Sequence, residues 1–279
     1  MLSVLCLACS PGPTSDVLDQ VGNPVAVGSP CRVITLAPDV TELAFAVGAG
    51  DLVIAAPATA DHPPAARALP HLNPGDVEAV LARSPDLVLA TTAGNDPRVI
   101  DRLRQLGIVV CTLDVTSFAK LTEATALVGA LTGRRDQANV VVSQLSERID
   151  AARRRATLLA SRHALYVVWW EPFIVAAPGT FHDDLLRTAG LENLAPAAAG
   201  RYPRVDPELL LDPRLDVIVA PDEPDVRATY DAVCTRPVAG RLRAGTTRVL
   251  WIPADLANRP GPRLVDALEA LVSAREASP

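Results

Sequence analysis

Arg134-Arg-Asp-Gln-Ala-Asn-Val-Val-Val-Ser-Gln-Leu-Ser-Glu-Arg-Ile-Asp-Ala-Ala-Arg-Arg-Arg-Ala-Thr-Leu-Leu159 decides how the rest of the chain is read. The stretch has no glycine and no proline, the residues that most readily break a helix. Val141, Leu145, Ile149 and Ala152 recur at helical spacing, and the stretch carries the charges Arg148, Asp150, Arg153, Arg154 and Arg155. This predicts one helix of about 25 residues, about 40 Å long at ~1.5 Å of rise per residue. A helix that long suits a strut between two lobes.

On both sides of it, apolar runs alternate with helical segments. Before it come predicted strands at Arg32–Leu36, Val53–Ala56, Asp86–Ala90 and Ile108–Leu113. Between them lie helices that Asp39 or Thr41 caps, that carry Glu78, and that run over Asp96–Leu106 and Phe118–Leu131. After it, Ala164-Leu-Tyr-Val-Val168 opens a second series. Alternation of this kind predicts parallel sheets. The halves also echo each other. Glu42-Leu-Ala-Phe-Ala-Val-Gly48 precedes Glu78, and Asp86-Leu-Val-Leu follows eight positions after Glu78. Asp184-Leu-Leu-Arg-Thr-Ala-Gly190 precedes Glu208, and Asp216-Val-Ile-Val follows eight positions after Glu208. The expected fold is α/β, with two Rossmann-like lobes joined by a single long α-helix. Its parts are a leader and flexible tether over 1–30, an N-terminal lobe over 31–133, the linking helix over 134–160 and a C-terminal lobe over 161–279.

Composition agrees. The 279 residues are 49% hydrophobic and 21% charged, enough for two cores. A net charge of −6 speaks against nucleic acid as a partner. No apolar stretch approaches the ~18 residues of a membrane-spanning helix. Met1-Leu-Ser-Val-Leu-Cys-Leu-Ala-Cys9 reads as the tail of a lipoprotein signal with Cys9 acylated, although it is short and lacks a basic n-region. The bland alternative is a frayed end with two chance cysteines. Ser10 to Pro30, rich in Pro, Gly and Ser, reads as the tether. Cys31, Cys111 and Cys234 show no metal-site spacing, and whether any of them is bridged stays open. Apolar neighbours make Cys111 a buried thiol. The chain has no Walker phosphate loop, no Gly-x-Ser-x-Gly elbow and no His-Glu-x-x-His helix, so no enzyme is expected.

Several stretches resemble one family. They are Arg32-Val-Ile-Thr-Leu-Ala-Pro-Asp-Val-Thr-Glu-Leu-Ala-Phe45, Glu78-x7-Asp86-Leu-Val-Leu, Gly190-Leu-Glu-Asn193, Tyr202-Pro-Arg-Val-Asp-Pro-Glu208 and Arg259-Pro-Gly-Pro-Arg263. In order and spacing they are similar to the substrate-binding proteins of ABC importers for cobalamin and ferric siderophores, the helical-backbone branch of the periplasmic binding proteins. The resemblance covers roughly Arg32 to Val272. It implies a ligand held in the cleft between the lobes, no catalysis and no cofactor of the protein's own. The partners it implies are a permease with its ATPase and a small metal-chelate ligand. It also implies a monomer outside the cytoplasmic membrane, anchored there through lipid.

The resemblance carries residue roles too. Glu78 and Glu208 match the glutamates, one per lobe, that pair with permease arginines. Thr59, Leu72, Thr91 and Tyr202 fall where cobalamin-binding members place aromatic ligand contacts, and only Tyr202 is aromatic here. Trp169 and Trp170 are further candidates, one facing the ligand and the other packing inward. Asp255 and Arg259 match positions that reach ligand amides; the alternative is a local ion pair. His62, His71, His163 and His182 come without a His-rich loop, so no protein-bound metal is expected. The missing aromatics leave room for a ferric siderophore or haem, which Arg98, Arg201, Arg204 or Arg259 would pair with. More distant readings are an α/β enzyme and a surface sensor.

Overall fold

The computed structural model describes residues 15–27, 29–197 and 200–277. Cys9 and the apolar run before it lie outside the described residues. The chain divides into two compact units, one holding Lys120–Gln144 with the residues up to Val115, the other Thr116–Ala119 with the residues from Leu145 on.

The first unit contains β1 (Ser15–Leu18), β2 (Pro24–Val27), β3 (Val33–Thr35), α1 (Pro38–Ala46), β4 (Val53–Ala55), α2 (Val77–Leu81), β5 (Leu87–Thr91), α3 (Pro97–Gln105) and β6 (Val110–Leu113). There follow α4 (Phe118–Leu131) and α5 (Arg135–Ala156). The second unit continues with β7 (Arg162–Trp169), β8 (Ile174–Val175), α6 (Phe181–Thr188), β9 (Leu191–Asn193), β10 (Leu215–Asp222), α7 (Pro224–Cys234), α8 (Gly240–Arg243), β11 (Arg248–Pro253), α9 (Ala254–Ala257) and α10 (Leu264–Glu276).

The wiring repeats. The first lobe has the parallel order β4-β3-β5-β6. The second has β9-β7-β10-β11, also parallel, with β8 added antiparallel to β7. The equal sequence offsets have a physical cause. Asp86 accepts hydrogen bonds from the main-chain N–H of Cys31 (2.9 Å) and Arg32 (3.0 Å), just before β3. Asp216 accepts one from the N–H of His163 in β7 (3.0 Å). Each aspartate thus ties down the start of the neighbouring strand. Gly48 and Gly190 follow α1 and α6 with φ of 79° and 73°, the left-handed conformation that ends a helix at low steric cost.

Strands covered on both faces read as continuous apolar runs, which is why the sequence shows them. Val33, Ile34, Val88, Leu89 and Cys111 are fully buried in the first sheet, as are Leu165, Val167, Ile218 and Val219 in the second.

The structure departs from the sequence reading in four places. Residues 15–27 are not a loose tether: β1 and β2 pair as an antiparallel hairpin. A lone hairpin is marginal in water, and Asp19 anchors this one. Its buried carboxylate accepts from the N–H of Asn23 (2.7 Å) and Thr112 (3.1 Å) and meets Arg104 at 2.9 Å. Second, neither Asp39 nor Thr41 caps α1. Pro38 opens the helix after Ala37 without a side-chain cap, as a residue lacking N–H can at a position with no intrahelical acceptor. Both are buried inside it, and the Thr41 hydroxyl donates to the Ala37 carbonyl (2.8 Å).

Third, α5 stops at Ala156 rather than running to residue 160. The Thr157 hydroxyl takes the Arg154 carbonyl (2.7 Å), a local bond that competes with helix continuation, and Leu158 is left 86% exposed. The buried residues of α5 are Ala138, Leu145, Ile149, Ala152 and Ala156. Val141 is only half-buried. Arg148 pairs with Asp266 (2.5 Å) and Glu269 (2.7 Å), and Arg155 with Glu276 (2.5 Å), stitching α5 to α10. Fourth, the first lobe is not one uninterrupted run from 31 to 133, and α5 is not a part of its own. Its beginning packs with the first unit and its end with the second, while Thr116–Ala119 also belongs to the second. There the N–H of Phe118 donates to the Asp184 carboxylate (2.8 Å).

Candidate ligand-binding and docking residues

In the second lobe an aromatic cluster forms around His182. Thr180 caps α6, its hydroxyl accepting from the N–H of Asp183 (3.1 Å), and this places His182 in the buried first turn. The imidazole lies against Phe181 and Tyr166, with ring centroids at 3.8 and 4.0 Å. Tyr202 meets it edge-on at 5.7 Å, and the Tyr202 hydroxyl is 3.3 Å from His182 Nδ1. The Tyr166 hydroxyl donates to Asn258 Oδ1 (3.3 Å). Burial depresses the His182 pKa to about 3, so the ring is neutral at physiological pH. The Ala257 main chain and the Asn258 side chain face the ring, yet Nε2 lacks a hydrogen bond of good geometry. Burial raises the Tyr202 phenol to about 12. Tyr202 itself remains 40% exposed. The result is an uncharged aromatic wall with one phenol at its surface, suited to a flat, largely apolar ligand.

The two tryptophans part ways. Trp170 is 1% exposed and stacks in the core with Tyr230 (5.0 Å) and Phe173 (6.0 Å), so it is not a ligand contact. Trp169 is half-buried, and its indole N–H donates to the Glu171 carbonyl (2.7 Å). Two of the candidates in the first lobe are also structural. Leu72 is 5% exposed and packs with Ala55 and Val80. Thr91 is buried at the end of β5, where its hydroxyl accepts from the N–H of Ala93 (3.2 Å) and bonds the Asp39 carboxyl. In both places, side chains smaller than an aromatic ring let the chain close over them. Thr59, by contrast, is exposed in the turn after β4.

Asp255 pairs with Arg263 (2.6 Å), which lies just before α10. Arg98 is paired with Asp96 (2.8 Å) at the start of α3. Arg201 and Arg204 flank Tyr202 and are exposed. His163 is 3.5 Å from Glu192. Among the described residues, no group of three or more His, Cys, Asp and Glu converges as a metal site, and Cys111 and Cys234 are free thiols.

Glu78 and Glu208 have matching surroundings. Asp76 caps α2, accepting from the N–H of Ala79 (2.9 Å), while Val80 is buried below. Asp206 accepts from the N–H of Glu208 (2.9 Å), with Leu210 buried below. The segment Pro207–Leu211 is a short 3₁₀ turn, whereas Glu78 stands on the α-helix α2. Both glutamates are exposed. Sequence reasoning missed His182 as an organising residue; the only trace was Thr180-Phe-His-Asp183, an N-cap followed by aromatics.

The profile of the family described as periplasmic binding protein matches residues 33–255, so the chain belongs to that family. The vitamin B12-binding protein of Yersinia pestis (strain Pestoides F) is 28% identical over 243 residues, covering 86% of this chain and 84% of the relative. The fold matches the crystal structure of the periplasmic vitamin B12 binding protein BtuF of Vibrio cholerae, with a TM-score of 0.76 and 24% identity over 89% of this chain and 98% of that one. It also matches the periplasmic heme-binding protein BhuT in complex with two hemes, with a TM-score of 0.77 and 26% identity over 90% and 99%. Membership in this family of transport proteins brings a small-molecule ligand and an ABC transporter as partners, and the periplasmic relatives work outside the cytoplasm. Among the described residues, no helix is long and apolar enough to cross a membrane.

Proposed function

We propose that this protein is the extracytoplasmic substrate-binding component of an ABC importer for cobalamin or a related corrinoid. The observation that carries the reading is the 28% identity to a vitamin B12-binding protein over 86% of this chain. The wall of Tyr202 and His182 supports it, because an uncharged aromatic surface covers a wide apolar ring at low entropic cost. Glu78 and Glu208 are the proposed docking residues, supported by their exposure and matching local frames in the two lobes. Cys9 is the proposed site of lipid attachment, on the apolar run before it; metabolic palmitate labelling tests it, and an unlabelled Cys9 protein removes it. Native mass spectrometry with cobalamin, cobinamide, haem and ferric siderophores tests the ligand. A stoichiometric corrinoid complex is expected.

Haem is the second reading. It is favoured by the 26% identity to BhuT and by the side chains at the four positions where cobalamin binders carry aromatics. Leu72 and Thr91 are buried and Thr59 is small, leaving Tyr202 alone to cover a ring. Selective capture of haem from the same panel would replace the corrinoid reading with this one.

A further inference from the structure

The second lobe contains a cavity of about 260 Å³ whose lining includes none of the residues discussed as ligand contacts. It lies at the N-terminal edge of the sheet, where Arg162 is the first residue of β7 and Arg248 the first of β11. Leu158, Leu159 and Leu250 supply apolar wall, and Arg275 of α10 completes it.

Three arginines meet here and none has a carboxylate partner among the described residues. Arg275 is only 6% exposed. Its guanidinium donates to two main-chain carbonyls, of Ala189 and of Ala160 (2.7 Å for the latter), which hold it in place without neutralising it. A side chain at position 190 would press on it, since a Cβ there would lie 2.9 Å from Arg275 Nη1; Gly190 leaves that space open. Burial and the neighbouring charge of Arg162 together lower the pKa of Arg275. Among the described residues, Arg162 and Arg248 make no side-chain hydrogen bond or ion pair. Elsewhere in the lobe, Arg148, Arg155, Arg214, Arg227 and Arg263 each have a carboxylate. A buried cation facing further cations is costly unless an anion joins them. Guanidinium forks match carboxylate and phosphate oxygens in pairs. The leucines add an apolar face, and Leu158, 86% exposed, stands open to solvent.

We propose that this cavity binds an amphiphilic oxyanion, a carboxylate or phosphate carried on a short apolar body. Arg162 and Arg248 grip the oxyanion, Arg275 supplies the buried positive charge, and Leu158, Leu159 and Leu250 cover the apolar part. The volume is below the ~300–1,000 Å³ of pockets for drug-sized ligands, which limits the enclosed body to a short chain. The oxyanion could belong to a free metabolite or to a phospholipid headgroup, and the experiment separates the two.

Calorimetry of the full chain with octyl phosphate, octanoate and inorganic phosphate tests the free source. Flotation with phosphatidylcholine vesicles, with and without phosphatidylglycerol, tests the headgroup source. Octyl phosphate is expected to bind at least tenfold more tightly than inorganic phosphate, and to lose at least tenfold in an Arg162→Ala/Arg248→Ala variant. Leu158→Glu, at an exposed position that cannot disturb the core, should weaken binding as well. Tyr202→Ala should leave it unchanged, since that residue lies outside the cavity lining. Flotation that requires phosphatidylglycerol and both arginines assigns the headgroup; binding of octyl phosphate without such flotation assigns a free amphiphile. If neither amphiphiles nor vesicles bind, or if the double arginine variant binds as well as the parent, the proposal is overturned.

Discussion

The Tyr202 hydroxyl sits 3.3 Å from Nδ1 of His182, and the two rings meet edge to face at 5.7 Å. The contact between the phenol and the neutral imidazole fixes the angle of the exposed tyrosine. The surface residue is therefore oriented by a buried one that a ligand need never touch.

Tyr202→Ala should weaken ligand binding by about 1–3 kcal/mol, the cost of losing an aromatic contact surface. Tyr202→Phe keeps the ring and loses only its hydrogen bond, so it should retain most of the affinity. Calorimetric titration of the two variants measures both. Parent affinity in Tyr202→Ala would remove the residue from the site.

Acid should destabilise the fold through His182. The unfolded imidazole takes up its proton near pH 6.5, while the folded one resists until about pH 3. Over that window the folded state binds fewer protons than the unfolded state. The contribution is complete above pH 6.5 and is lost as pH falls, at a slope of up to ~1.4 kcal/mol per pH unit. Urea unfolding of the parent and His182→Gln between pH 4 and 8 checks this. The variant should show a shallower acid limb.

Asp39 acts in the opposite direction. Burial raises its pKa from 3.8 to about 6, so the folded state holds the proton more tightly. Stability from this group is present at low pH and is lost as pH rises from about 4 to 6. Asp39→Asn keeps an acceptor oxygen and removes the buried charge. It should stabilise the protein at pH 7.5 by on the order of 2 kcal/mol and leave it little changed at pH 4. Equal effects at the two pH values would show that ionisation is not involved.

Glu78→Arg/Glu208→Arg should abolish transport while ligand affinity stays within about threefold, because the exposed charges act on docking rather than on binding. The single reversals should matter most at low ionic strength, since exposed charges are screened over about 10 Å in 0.1 M salt. Uptake in a strain carrying the transporter, with binding measured in parallel, provides the check. Normal uptake by the double variant would remove both residues from docking.

Leu72→Ala should cost about 2–5 kcal/mol of stability, as expected when a core leucine leaves a cavity. Ligand affinity, measured where the variant is still folded, should not change. A selective loss of affinity with normal stability would return Leu72 to the binding surface.

The amino-acid sequence determined the architecture wherever burial is two-sided or the chain must turn sharply. β5 and β10 showed as unbroken apolar runs because both faces are covered, and α5 showed as a helix because one stripe of it is buried. The repeat was legible in Glu78 to Asp86 and Glu208 to Asp216 because each aspartate ties a fixed strand start. What the sequence could not decide were contacts between distant segments. The hairpin over residues 15–27 depends on Asp19 reaching Thr112 and Arg104, which no local pattern announces. Leu72 and Thr91 aligned with ligand contacts, yet the packing around them placed them inside. Adjacent tryptophans looked equivalent until one entered the core. The aromatic wall joins β7, α6 and the Tyr202 loop, and the three-arginine cavity joins β7, β11 and α10. Side chains that meet only through the fold depend on energies of packing and desolvation set by neighbours far away in the chain. Only the tertiary structure could bring them together.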